Sequence, residues 1–242
     1  MIAAEGLAKR FGDVQAVRDV SFGAPDGRIT ALLGPNGAGK TTTLRIISTL
    51  VVPTHGRALV DGHDVSADPL AVRARIGMLS DARGLYARLT ARENIAYYGR
   101  LRGLGEAALE ASIARLADLL DMKALLDRRT DGFSQGERMK VAIARTLVHD
   151  PANVILDEPG NGLDVMTTRN LREVIRALRD AGKCVLFSSH VMHEVSALCD
   201  EIVIVAHGAV AAHGTAEELL AASGRASLED AFVHYSGGAA PQ

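Results

Sequence analysis

A chain of 242 residues that is 48% hydrophobic and 23% charged, with no Trp, five Phe and four Tyr, describes one large or two small globular domains with a mostly aliphatic core. A formal charge of −2 and dispersed arginines disfavour a nucleic-acid binder, which would present a clustered Lys/Arg face. There is no bilayer-length apolar run, no signal-peptide layout at the N-terminus, and no metal or disulfide spacing for Cys184 and Cys199, so the chain reads as cytosolic and reduced.

In chain order, the first thirty residues alternate like strands, with AVRDVSF at 16–22 a half-buried example. RITALLG at 28–34 is a short apolar run closed by glycine. TTTLRIISTLV has helical spacing at Leu44, Ile47 and Val51. Pro53 and Gly56 then punctuate the chain, and RALVDG resembles another strand and turn. From Thr90 to about Val148 the pattern is helical throughout. Thr90 and Glu93 form a capping box, with Gly103 as the stop. Leu109, Ile113, Leu116 and Leu120 give the next helix one apolar face. A third helix starts at Ser134 and ends before Pro151.

Strand-like runs return at NVIL (153–156), CVLFSS (184–189) and EIVIVAHG (201–208), the second placing Cys184 as a buried thiol. Helices at 164–181 and 191–199 separate them, and a capped helix follows at 215–220. Near-continuous apolar strands alternating with helices predict a parallel sheet covered on both faces.

GPNGAGKT at 34–41 fits G-x-x-x-x-G-K-[ST] without a mismatch, and a chance match in a chain this long has a probability on the order of one per cent. Its glycines let the backbone wrap a phosphate chain, Lys40 reaches the β/γ oxygens, and the Thr41 hydroxyl can ligate Mg²⁺. The following helix adds the positive end of its dipole. The nucleotide-binding set is therefore Gly34, Pro35, Asn36, Gly37, Ala38, Gly39, Lys40, Thr41 and Thr42. NVILDEP at 153–159 ends a buried strand in two carboxylates, which resist burial without a charge partner. Beside a P-loop that partner is Mg²⁺, held by Asp157, while Glu158 polarises the attacking water as general base. Taken alone, the stretch also fits a strand with an acidic exposed end. His190 follows CVLFSS at the sheet edge where α/β proteins bind ligands. A neutral imidazole there could hydrogen-bond a γ-phosphate, and the alternative is a helix-cap histidine. His193, one turn on, lacks a third ligand for zinc. Ser134 and Glu137 in DGFSQGE make a capping box, and nothing local decides whether that helix start also faces a phosphate.

Together, the P-loop at 34, S-x-G-E at 134, DE at 157–158, GLD at 162–164 and SH at 189–190 resemble, in this order, an ATP-binding-cassette (ABC) ATPase. The resemblance runs from Leu7 to about Tyr235. It implies an α/β fold: a P-loop NTPase core with a mainly parallel sheet, an N-terminal antiparallel β subdomain and an inserted helical subdomain. The expected boundaries are one domain at 1–235, with the core at 1–81 and 151–235, helices at 82–150 and a frayed tail at 236–242. In the family two cassettes face each other head to tail. Carried over, Ser134 and Gly136, within the signature Ser134, Gln135, Gly136 and Glu137, would contact the partner subunit's ATP. Asp164 would lie in the loop linking the two sites, and Phe11 would stack on adenine instead of filling a core between two strands.

Two positions depart from the family. The usual L-S-G-G-Q is FSQGE here, so Glu137 brings a negative charge near a triphosphate unless it turns back onto its own backbone. Where the family commonly has Gln, this chain has Asp81, expected to reach Mg²⁺ through water. LSDARGLYARLTARENI, GERMKVAIARTLVHDP and LEDAFVHYSG look most like ATPases of two-component exporters of the sodium-extruding and drug-exporting branches. The resemblance implies an ATP-hydrolysing subunit that powers export of a small solute or ion. It would sit on the cytoplasmic face of the membrane, paired with a second such subunit and a separate transmembrane permease. The competing reading, a soluble ABC ATPase acting on ribosomes or DNA, lacks the second cassette, coiled-coil insertion or basic arm usual in that class.

Overall fold

The computed structural model describes residues 1–80 and 84–237. Its strands are β1 (Ile2–Phe11), β2 (Val14–Ala24), β3 (Ile29–Leu33), β4 (His55–Val60), β5 (His63–Asp64), β6 (Ile76–Leu79), β7 (Asn153–Leu156), β8 (Cys184–Ser189), β9 (Glu201–Ala206) and β10 (Ala209–Gly214). Helices are α1 (Lys40–Ile47), α2 (Pro69–Arg75), α3 (Ala91–Leu101), α4 (Glu106–Leu119), α5 (Gln135–Leu147), α6 (Val165–Asp180), α7 (Met192–Leu198), α8 (Ala216–Ser223) and α9 (Leu228–Tyr235).

All the strands join one sheet in the order β5-β4-β1-β2-β10-β9-β3-β8-β7-β6. The alternating N-terminal segments make its antiparallel end, where β1 pairs with β2 and β4. The apolar runs make its parallel end, with β3 between β8 and β9, and β7 between β8 and β6. One parallel bridge, Ala209 to Asp19, joins the two ends. The fold is the α/β architecture expected from the motifs.

Period-two side-chain alternation explains why the parallel strands are apolar on both faces. Ile29, Ala31, Leu33, Val154, Leu156, Val185 and Phe187 belong to a core shared with α3 to α7. Leu32, Ile155, Cys184, Leu186, Val203 and Val205 face a second core, closed by α1 and the antiparallel strands. Each fully buried aliphatic side chain of this kind contributes about 1.5–3 kcal/mol relative to exposure. Cys184 is buried as expected, and burial pushes its thiol up to about 12.

Helices α3, α4 and α5 follow one another between β6 and β7. The Thr90 capping box closes in both directions: the Glu93 N–H donates to Thr90 Oγ1 at 3.1 Å and the Thr90 N–H to Glu93 Oε2 at 2.7 Å. After α3 the chain passes Gly103 at φ 79°, the expected stop. Elsewhere the structure departs from pattern. α1 ends at Ile47 without reaching Val51, because Thr49 turns left-handed at φ 64°. α2, β6, β10 and α9 had no counterpart in the periodicity: α2 buries only Val72, α9 only Leu228 and Ala231, β6 carries Gly77, and β10 has no buried position, so none shows a clear apolar repeat. Of the expected frayed tail, Ser236 and Gly237 form a turn after α9, and 238–242 lie outside the described residues.

Gly77 in β6 gives a test of packing against propensity. Glycine weakens a strand interior, so local preference alone would make Gly77→Ala stabilising. A Cβ there, however, would lie 2.4 Å from the Thr146 carbonyl oxygen and 2.8 Å from Pro151 Cγ. Overpacking should dominate, and Gly77→Ala should lower the unfolding free energy by about 1–3 kcal/mol in urea titrations. A variant as stable as the parent would mean that α5 and the 151 turn move aside freely.

Candidate active site

The C-terminal ends of β3, β7 and β8 open onto one cavity of about 660 Å³. Residues 36–42 line it, with Asp157, Glu158 and His190 opposite. β3 ends at Leu33, and the glycine-rich turn runs directly into α1, so the helix N-terminus faces the cavity. Gly39 caps that helix at φ 104°, where a Cβ would lie 2.7 Å from the Ala16 carbonyl oxygen. Only glycine fits both the backbone and the space. Gly34 and Pro35 do not line the cavity. They act through their carbonyls, which accept from Lys40 Nζ at 2.7 and 3.3 Å. Lys40 is 5% exposed, and its ammonium also stands 3.3 Å from Glu158 Oε1. A buried cation is thus compensated by two carbonyls and a carboxylate, as burial requires.

Asp157 is 1% exposed. Its Oδ1 accepts from the Thr41 hydroxyl at 3.1 Å and from the Ser188 hydroxyl at 2.7 Å, and its N–H donates to Leu79 O at 2.9 Å. The P-loop helix and the acidic strand end therefore meet directly. At the cavity the Thr41 hydroxyl and the Asp157 carboxylate form an oxygen-only donor set, the chemistry that suits Mg²⁺.

Glu158 leaves β7 in the left-handed region at φ 46°, a conformation that costs a non-glycine residue about 1–2 kcal/mol. That turn carries its carboxylate to Lys40 on one side and to His190 Nδ1, 2.8 Å from Oε2, on the other. The histidine tautomer matters here. A neutral ring that donates from Nδ1 keeps only an acceptor at Nε2, so a simultaneous contact to a phosphate oxygen takes the imidazolium. His190 therefore stands in the site, and it does not cap α7: that helix starts after Val191 with no side-chain cap, and Ser189 Oγ accepts from the Val191 N–H at 3.0 Å in the turn before it.

None of residues 134–137 lines this cavity. Ser134 caps α5, its Oγ accepting from the Glu137 N–H at 3.2 Å while Glu137 Oε2 accepts from the Ser134 N–H at 2.8 Å. Glu137 Oε1 also lies 2.9 Å from Arg128 Nη1. The Ser134 N–H first, and then Arg128, hold the Glu137 carboxyl below the usual range. Its charge is thus turned onto its own helix end. Gln135 Nε2 donates to Asn161 O at 3.4 Å, and Gly136 packs on Thr167, with a Cβ there 2.9 Å from Thr167 Oγ1. Asp164 caps α6 by accepting from the Thr167 N–H at 2.9 Å and the Thr167 hydroxyl at 2.7 Å, which lowers its pKa. Beside it Val165 and Met166 are 84% and 63% exposed.

Phe11 is 48% exposed at the end of β1, outside the cavity lining. A core role between two strands is therefore excluded. Its cross-strand neighbour Val14 does line the cavity. Asp81 lies outside the described residues. Sequence reasoning missed Val14, Gln15, Ala16, Arg45 and Asn161 in the lining: tertiary packing brings the β2 residues there, while Arg45 lies one helical turn beyond Thr41 and Asn161 in the turn after Glu158. It also missed Ser188. The available signal was a hydroxyl at the end of a fully buried strand, two residues before His190.

Comparison with known proteins agrees with this geometry. A family model described as ABC transporter matches residues 17–161, more than half of the chain. The ABC transporter ATP-binding protein NatA of Bacillus subtilis is 45% identical over 224 residues, covering 90% of this chain and 91% of its own. The daunorubicin/doxorubicin resistance ATP-binding protein DrrA of Streptomyces peucetius is 37% identical over 234 residues, 95% of this chain and 71% of its own. A solved ATP-binding subunit of an ABC transporter superposes with a TM-score of 0.89 at 28% identity, covering 98% of this chain and 99% of that one. The dimeric structure of MJ0796, a bacterial ABC transporter cassette, gives 0.79 at 25% identity over 89% of this chain and 98% of its own. With the P-loop, the acidic strand end and the histidine gathered at one cavity, the chain belongs to the ABC transporter family, as an ATP-binding ATPase subunit.

Proposed function

We propose that this chain powers export of a small solute or ion through a separate transmembrane permease, hydrolysing ATP at sites completed by a second copy of itself. The observation that carries the reading is the split arrangement: Lys40, Asp157, Glu158 and His190 share one cavity, while residues 134–137 lie outside it. The phosphate contacts implied by the signature would then serve the ATP of another molecule.

In this mechanism the P-loop wraps the phosphates of ATP, and Lys40 exchanges its carbonyl partners for β/γ oxygens. Thr41 and Asp157 would hold Mg²⁺, which when bound neutralises charge on the β- and γ-phosphates; Asp81 would add an oxygen through water. Glu158, oriented by His190, takes a proton from the attacking water as its oxygen bonds to the γ-phosphorus. The bond from that phosphorus to the β–γ bridging oxygen breaks, and ADP leaves with the electron pair. His190 holds the carboxylate and, as imidazolium, reaches the γ-phosphate. Phe11, next to Val14, stacks on the adenine. From the partner, Ser134 and the Gly136 backbone cap the γ-phosphate at the start of its α5 helix. The exposed pair Val165 and Met166 beside Asp164 is an apolar surface of the kind that contact between subunits covers.

Among the described residues no helix is long and apolar enough to cross a membrane; in this reading the permease supplies the spanning segments. The helical segment offers it a surface: Tyr86, Tyr97 and Leu101 are 49%, 42% and 65% exposed. Arg145, 4.4 Å from the Tyr98 ring centroid, borders them. Relatives named for daunorubicin resistance and for Nod factor export support an export direction. No comparable observation favours action on ribosomes or DNA.

Two variants test the reading. Glu158→Gln should reduce turnover by about 10²–10⁴-fold and accumulate an ATP-bound dimer in size-exclusion chromatography. Normal hydrolysis would remove Glu158 from the mechanism. Ser134→Ala should leave ATP binding by the monomer intact and lower turnover on the order of a hundredfold. Loss of monomer binding, read by a fluorescent ATP analogue, would place this helix in the chain's own site.

A further inference from the structure

We infer that Ser188 is a positioning residue for the metal and the general base, acting through Asp157 and Glu158; this rests on the hydrolytic role proposed for that pair. All six residues of β8 are buried, and Ser188 is 0% exposed. A hydroxyl at such a position must satisfy both its proton and its lone pairs inside the protein. Ser188 does so with two consecutive residues of the neighbouring strand's end. Its hydroxyl donates to Asp157 Oδ1 at 2.7 Å and accepts from the Glu158 N–H at 2.9 Å.

One oxygen thereby fixes a side chain and a main chain together. On the Asp157 side, it holds the oxygen that also accepts from Thr41, so the carboxylate is kept facing the P-loop helix. On the Glu158 side, it grips the peptide N–H of a residue bent to φ 46°. That bend brings the Glu158 carboxylate between Lys40 and His190. His190 itself lies two residues beyond Ser188. The same strand end therefore carries the histidine and anchors the two acids, which sets the three groups in one frame. Groups behind metal ligands commonly have this effect, and their loss typically costs about 10–100-fold in metal affinity or activity.

The assignment separates metal binding from nucleotide binding. Ser188→Ala deletes one oxygen whose two hydrogen-bond partners, Asp157 and Glu158, lie outside the P-loop, so ATP affinity measured in EDTA with a fluorescent analogue should stay within about twofold of the parent. Mn²⁺ affinity of the ATP complex, read by electron paramagnetic resonance, should weaken by about 10–100-fold, and kcat should fall by a similar factor with KM little changed. Ser188→Thr keeps the hydroxyl and should recover Mn²⁺ affinity to within about threefold, provided that its melting temperature matches the parent. Three results would overturn the inference: parental Mn²⁺ affinity in the alanine variant, an equal loss of metal-free ATP affinity, or a folded threonine variant as weak as alanine. Running Glu158→Gln alongside keeps the two readings apart. Normal hydrolysis by that variant refutes the general-base role, whereas the Mn²⁺ shift in Ser188→Ala still decides whether Ser188 holds the metal-binding acid.

Discussion

A carboxylate at 1% exposure is the constraint around which this molecule is arranged. Asp157 sits at the end of a four-residue strand whose every position is buried. An isolated charge there would be driven to neutralise itself. It is instead met by Thr41 from the first turn of α1 and Ser188 from the adjacent strand. That meeting requires β3, β8 and β7 to lie side by side, and the parallel register supplies this: β3 and β8 end together with Leu33 opposite Ser189, while Leu156 lies opposite Phe187, so β7 stops two residues earlier and its next residue, Asp157, reaches Ser188. The two-faced apolar sheet is thus the support for one polar corner.

The same corner explains how Lys40 and Glu158 can be kept close inside the protein. Each compensates the other at 3.3 Å, and neither depends on the pair alone, because Lys40 has two carbonyls and Glu158 has His190. A phosphate chain that draws Lys40 away leaves the Glu158 carboxylate with its histidine partner. A carboxylate that is held while its cation is withdrawn would suit the general-base role proposed for Glu158.

How much was legible in sequence follows the range of the interactions. GPNGAGKT and NVILDE could be read because their chemistry is contained in a few consecutive residues, with a strand on one side and a helix on the other. The capping boxes at Thr90, Ser134 and Thr215 were legible for the same reason, and each closes in both directions. Ser188 was not, since a serine within CVLFSS has no local feature that distinguishes it from Ser189; its partners are about thirty residues away in sequence. The short elements α2, β6 and α9 escaped because α2 buries only Val72, α9 only Leu228 and Ala231, and β6 carries a glycine, so none of them shows a clear apolar repeat. Gly77 shows the converse. Its residue type argues against a strand, and the neighbouring Thr146 carbonyl requires it.

The departure at FSQGE is absorbed locally. Glu137, which would repel a triphosphate if it pointed outward, spends one oxygen on the Ser134 N–H and the other on Arg128. Its charge therefore completes the helix end, and the Ser134 hydroxyl accepts the reciprocal bond from the Glu137 N–H. That bond uses a lone pair of the hydroxyl and leaves its proton for another acceptor. A serine can thus cap its own helix and donate to a neighbour's phosphate together, so a capping box and half of a nucleotide site can occupy the same four residues. Gln135 adds a second consequence. Its amide donates to the carbonyl of Asn161, which lines this chain's own cavity. The helix end proposed to face a partner is thereby in direct contact with the loop bordering the chain's own cavity.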